Sequence, residues 1–269
     1  MLKKVSEIYD ELWHYTSFKG VHGIISTGSV WATEANYLND ATEIKHFFDV
    51  RMFELARPVI HDFAQEKASN PAVGSQMKAA GGVEKVVIEA VDALVSRFRS
   101  ATLDVNDSYI FSLTAPGDDY VRFGELLSQW RGYGSDGGFA LVFDPAGIEK
   151  LVQEEKCSYS YQYMACGDVF YYGLTSLVQP STEEILIFEK QISDGIARQV
   201  RRQPAINEGD FFNAITSLSC FYKHWGFHEE REVRIVAIPS LPEVANAARR
   251  DGEDLPVKGS KAFLRLCRT

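Results

Sequence analysis

Four short segments bring together side chains that could act on a ligand. His14-Tyr15-Thr16 lies in a β-favouring run, where period-two alternation sends His14 and Thr16 to one face and Trp13 and Tyr15 to the other. A His beside a Thr can donate and accept hydrogen bonds to a sugar diol, or it can be a core histidine with a satisfied partner. Leu38-Asn39-Asp40-Ala41-Thr42-Glu43 fits a helix start, with Asp40 and Glu43 as a capping box and Asn39 in the preceding loop. Glu43 and His46 also have the ExxH spacing used in di-iron bundles, where two such motifs and two further Glu converge.

The third segment, Ser128 to Gly138, packs Trp130, Arg131 and Tyr133 beside a glycine-rich turn. It can offer a stacking face and a phosphate partner, or an indole that anchors a loop and an arginine in a structural ion pair. The fourth is Lys223-His224-Trp225-Gly226-Phe227-His228-Glu229-Glu230-Arg231-Glu232-Val233-Arg234-Ile235-Val236. A strand starting at about Glu230 puts Glu230, Glu232 and Arg234 on one face and turns Val233 and Ile235 into a core. Two carboxylates at that spacing are poor packing groups, because like charges repel and desolvation is costly. The plain alternative is an edge strand kept soluble by charge, with Arg231 and Arg234 neutralising the pair.

The positioning elements follow from pattern. Leu12 to Thr16 reads as a strand, and Ser17 caps a helix from Phe18 to about Thr27 that Gly28 ends. Val30 to Thr33 is a second strand. A long helix runs from Ala41 towards Ala56 with Phe47, Phe48, Met52 and Leu55 at helical spacing, and Pro58 kinks or restarts it. Residues 69–82 read as a polar, glycine-rich connection, and a helix follows from about Val83 to Thr102. Strands are expected at 109–114, 139–143, 158–163, 168–172 and 231–237, with a further candidate at 263–266. A short helix is expected around Gly124 to Trp130. Ser181 and Glu184 form a capping box for a helix to about Arg201, and another covers Phe211 to Tyr222. The mixture lacks regular βαβ alternation, so the fold class is α+β, one domain with a helical insertion at about 41–103.

Composition narrows the function. In 269 residues, 45% are apolar and 24% charged, with 17 Phe, 12 Tyr and 4 Trp, which is a globular chain and not a disordered one. The net charge of -9 argues against a broad nucleic-acid surface. Arg198, Arg201 and Arg202, Arg249 and Arg250, and Lys258, Lys261, Arg265 and Arg268 read as solvated faces. No apolar run approaches a membrane span or a signal peptide, so no membrane partner is expected and the chain reads as cytoplasmic. Cys157, Cys166, Cys220 and Cys267 form no CxxC pair, so no metal is expected. No GxGxxG follows a strand, so a Rossmann site is not indicated, and no Walker loop is present.

From Leu12 to Val236 the motifs HYTSFKGVHGII, VWAT, LND, SQWRGYG, GFALVFD and KHWGFHEEREVR resemble a bacterial family known only as a domain of unknown function. More distantly, the opening His-x-Thr strand, the helix ending in Gly and the late strand beginning with Glu are similar to the ADP-ribosyltransferase superfamily, especially DarT-like toxins. That resemblance implies a split mixed or antiparallel sheet and NAD as substrate. It assigns His14 and Thr16 to NAD, Glu232 to catalysis and Glu230 to the acceptor. It also places Tyr37, Asn39, Trp130, Arg131 and Tyr133 among the NAD contacts. Arg131 is the candidate cation for the pyrophosphate, and Trp31, Tyr37 and Tyr133 compete to stack on nicotinamide.

The activity expected on this basis is ADP-ribosyl transfer or NAD hydrolysis, in a toxin or phage-defence setting. The acceptor would be a nucleic acid or protein, with an antitoxin or other protein as partner. Two rivals stand beside it. One is a non-catalytic nucleotide- or protein-binding module of the same shape; the other is a metal-dependent nuclease built on Asp40, Glu43 and His46.

Overall fold

A computed structural model describes residues 4–37, 42–103, 108–116, 129–130, 132, 137–172, 183–204, 208–241 and 263–265. The chain divides into two compact units, one from Met1–Ala41, Asn106–Leu177 and Lys223–Thr269, the other from Thr42–Val105 and Val178–Tyr222.

The first unit is built on a six-stranded sheet, and its class is α+β as expected. β1 (Leu12–Ser17), β4 (Tyr109–Thr114), β5 (Gly138–Phe143), β6 (Tyr161–Asp168) and β9 (Glu232–Pro239) run in the order β5-β1-β4-β9-β6, all neighbours antiparallel. β3 (Thr33–Glu34) also pairs with β4. The stretch expected as one strand at 30–33 is two: β2 (Ser29–Trp31) leaves the sheet to pair with β10 (Phe263–Arg265). β7 (Phe170–Tyr172) pairs with β8 (Tyr222–His224).

One sheet face is dry. Leu12, Phe111, Leu113, Val233, Ile235 and Ala237 form a buried cluster with Ile24 of α1 (Phe18–Thr27) and Ile148, Leu151 and Val152 of α6 (Pro145–Ser158). Each Val, Leu, Ile or Phe among them contributes about 1.5–3 kcal/mol by leaving water. The α6 helix was not assigned from sequence, although Asp144 caps it by accepting from the amides of Ala146 and Gly147 at 3.2 and 3.1 Å and Pro145 sits in its first turn. α1 starts and stops as read: Ser17 accepts from the Gly20 amide, and Gly28 closes the helix at φ 60°. Gly20 has a second constraint, because a Cβ there would stand 2.1 Å from Thr16 Oγ1.

The second unit is helical. It joins the expected insertion to a second stretch, so α2 (Thr42–His46), α3 (Phe53–Ala68), α4 (Pro71–Ala79) and α5 (Val83–Leu103) share it with α7 (Glu183–Val200) and α8 (Glu208–Phe221). Two local readings need correction. The irregularity is not at Pro58, which lies inside α3; it is a π-helical turn at Phe47–Met52, whose widened spacing accompanies full burial of Phe47, Phe48 and Met52. The connection at 69–82 contains α4, which starts because Asn70 accepts from the Ala72 amide at 3.0 Å and Pro71 presets the first turn.

Candidate functional site

Glu232 opens β9 but does not follow a strand residue. Arg231 before it has a left-handed backbone, φ 43° and ψ 50°, and Trp225–Glu230 is a 3-10 turn. Glu230 therefore belongs to the turn, not to the strand face expected for it. The reversal at Arg231 brings both carboxylates to one ammonium: Lys223 Nζ lies 2.7 Å from Glu230 Oε2 and 2.9 Å from Glu232 Oε2. Arg234, two residues along β9, donates from Nε to Glu232 Oε1 at 2.7 Å and from its terminal nitrogen to Oε2 at 2.9 Å. The Ser112 hydroxyl on β4 donates to Glu232 as well.

The expected alternation of β9 holds in part. Glu232 and Arg234 share a face, with Val233 and Ile235 turned into the dry cluster. Lys223, Glu232 and Arg234 are almost fully enclosed, with side-chain exposures of 8%, 6% and 3%, against 25% for Glu230. Burial alone would raise the Glu232 carboxyl, but Arg234 and then Lys223 hold it down to about 2, so it is a fixed negative charge. Its amide donates to the Tyr171 hydroxyl at 2.7 Å, and burial pushes that phenol up, so it keeps its proton.

His14 and Thr16 share the face of Leu12, as the alternation requires, while Trp13 pairs with Thr114 and Thr114 with Glu232. His14 and Glu232 thus approach the sheet from opposite faces and do not form one wall. They meet through Ser112. His14 Nδ1 lies 3.0 Å from the Ser112 carbonyl, and because a carbonyl only accepts, Nδ1 carries the hydrogen. Burial pushes the imidazole below its ordinary value against the opposing pull of that bond, which leaves the ring neutral. The ring centroid is 4.5 Å from that of Phe111. The contact arises where the sheet splits: β1 is in register with β5 over six residues but with β4 only at Trp13.

Of the remaining assignments, Trp130 is half-buried and meets Tyr15 edge-on at 5.2 Å, and its buried indole nitrogen has no acceptor among the described residues. The Trp13 indole nitrogen is in the same condition. Tyr37 is 77% exposed and Trp31 is 62% exposed, so neither is enclosed as a stacking platform. Asn39, Asp40, Arg131 and Tyr133 lie outside the described residues, as does the Glu43 side chain. His46, in the helical unit, stands 5.8 Å from the Tyr222 ring. Among the described residues no three His, Cys, Asp or Glu side chains gather to hold a metal ion, and no helix is long and apolar enough to cross a membrane.

Ser112 and Tyr171 escaped the sequence reading, and Lys223 opens the fourth segment without a role there. Ser112 had a signal, as the polar side chain alternating with Thr114 in an otherwise apolar strand. Lys223 and Tyr171 had none, since only the Arg231 reversal and the β7–β8 pairing bring them to Glu232.

No curated protein and no solved structure matches the chain. Residues 129–235 match the model of a family described as a protein of unknown function (DUF2971), a stretch that carries Trp130, Lys223, Glu230 and Glu232 but not His14.

Proposed function

We propose that the sheet unit binds NAD and cleaves its nicotinamide–ribose bond, as an ADP-ribosyltransferase-like enzyme that transfers ADP-ribose or hydrolyses the dinucleotide. One observation carries the reading. At the split between β1 and β4, Ser112 joins His14 by its carbonyl to Glu232 by its hydroxyl, and these are the two remote residues that the resemblance assigns to NAD. Their charge states suit the roles. His14 and Glu232 lie on opposite faces, so one ribose reaches both only at the split between β1 and β4, where a neutral His14 can accept from a hydroxyl. An ionised Glu232 can stabilise the positive charge that develops at the ribose as nicotinamide leaves, in an oxocarbenium-like state comparable to that of glycoside hydrolysis.

Four donors already occupy Glu232, about as many as its lone pairs accommodate. A ribose hydroxyl must therefore replace one of them, and Ser112 is the neutral and most easily exchanged. Release of nicotinamide from NAD tests the activity. Glu232→Gln is expected to lower the rate by about 10²–10³-fold with near-ultraviolet circular dichroism unchanged. Equal turnover by variant and parent refutes the proposal.

The same saturation favours a second reading, a nucleotide- or protein-binding module in which the ion cluster is purely structural. Calorimetry separates the two, since a binder gives heat with NAD or ADP-ribose and releases no nicotinamide. A toxin or phage-defence role, and an antitoxin partner, rest on the resemblance alone.

A further inference from the structure

Which acceptor the site takes depends on the charges beside Glu230. Glu230 is the accessible member of the ion cluster, 25% exposed where Glu232 is 6% exposed. It is the carboxylate that an incoming group meets first. A guanidinium or ammonium acceptor would be held by such a carboxylate, but this one is already engaged. Lys223 Nζ lies 2.7 Å from it and is itself fixed on three sides, by Glu230, by Glu232 at 2.9 Å, and by the Phe227 ring with its centroid at 5.1 Å.

The arrangement is built into the backbone. The left-handed Arg231 folds the turn back over the start of β9, and without it Glu230 would not reach the same ammonium.

Resting on the NAD-cleaving reading, we infer that Lys223 occupies the seat a cationic acceptor would need, so that the site transfers to an uncharged nucleophile, a hydroxyl or water, and excludes guanidinium and ammonium groups. In the reaction the ribose C1′–N bond breaks and nicotinamide leaves as a neutral molecule with the bonding pair. A lone pair of the acceptor oxygen forms the new C1′–O bond, and the acceptor proton passes to solvent.

The probe is agmatine, a small guanidinium acceptor, offered with NAD to the full chain. The parent is expected to release nicotinamide and form no ADP-ribosylagmatine, while Lys223→Met forms it at least ten times faster. Titration calorimetry with agmatine alone gives a readout independent of turnover: no heat with the parent, a saturable isotherm with the variant. ADP-ribosylagmatine formation or agmatine binding by the parent overturns the inference, as does a folded variant that gains neither. A parent that releases no nicotinamide refutes the proposed activity, and the calorimetric pair then still decides whether Lys223 bars cations. Should Lys223→Met not fold, Lys223→Gln keeps a donor for both carboxylates and carries the same comparison.

Discussion

The two faces of β9 are equally dry and held together by different physics. Val233, Ile235 and Ala237 on one side are 0% exposed, and Glu232 and Arg234 on the other are 6% and 2% exposed. On the apolar side stability grows with each group taken out of water. On the ionic side the cost of desolvating the charges nearly cancels their attraction, so the intact cluster adds little beyond what apolar residues of the same volume would give. What the ionic face secures is a charge in a fixed place, and that charge is vulnerable to the loss of any one partner.

This contrast can be broken at either face. Arg234→Met leaves Glu232 dependent on Lys223, which Glu230 shares, and is expected to cost about 3–5 kcal/mol by urea unfolding. Replacing Lys223, Glu230, Glu232 and Arg234 together by apolar residues of similar volume should leave stability within about 1 kcal/mol of the parent or raise it. A joint variant as unstable as the single one would show that the cluster is stabilising in itself. On the other face, Ile235→Ala opens a cavity and should cost about 2–4 kcal/mol by the same measurement.

A smaller effect separates the faces by pH. His14 is held neutral by burial, so its folded value lies below the unfolded 6.5 and the unfolded chain binds more protons beneath that pH. Its contribution is complete above pH 6.5 and is lost as the pH falls below it; His14→Gln should flatten that part of the stability profile. The Glu232 contribution is complete above pH 4.5 and fades only as the pH falls towards about 2. The smallest effect is at the reversal itself. Arg231→Gly relieves a left-handed backbone at an exposed position and should raise stability by up to about 1 kcal/mol, provided the glycine stays in that conformation.

Where local chemistry decides, the sequence could be read. Ser17 and Gly28 bracket α1 because a hydroxyl cap and a left-handed terminus are properties of those residues. The inward turn of Val233 and Ile235 follows from strand alternation. The start of β9 could not be read the same way, because a charged residue with positive φ at Arg231 runs against the preference that makes such reversals visible as Gly or Asn. The second half of the helical unit was legible as α7 and α8 but not as a companion of α2–α5, since periodicity shows which face a helix buries and not what it buries it against. Trp130 illustrates the same limit: its proximity to Tyr15 depends on where β1 lies, which no spacing in the Ser128–Gly138 segment encodes.

The unequal pairing of β1 gives the sheet a seam. Parting β1 from β4 breaks a single rung at Trp13 and the His14–Ser112 bond, whereas parting β1 from β5, β4 from β9 or β9 from β6 disrupts six, six or seven paired positions. Breathing of the domain is therefore expected to concentrate along that line, with the β1–β5 ribbon swinging as one piece about Trp13. Deuterium uptake would register the swing first at the amides that border Ser112.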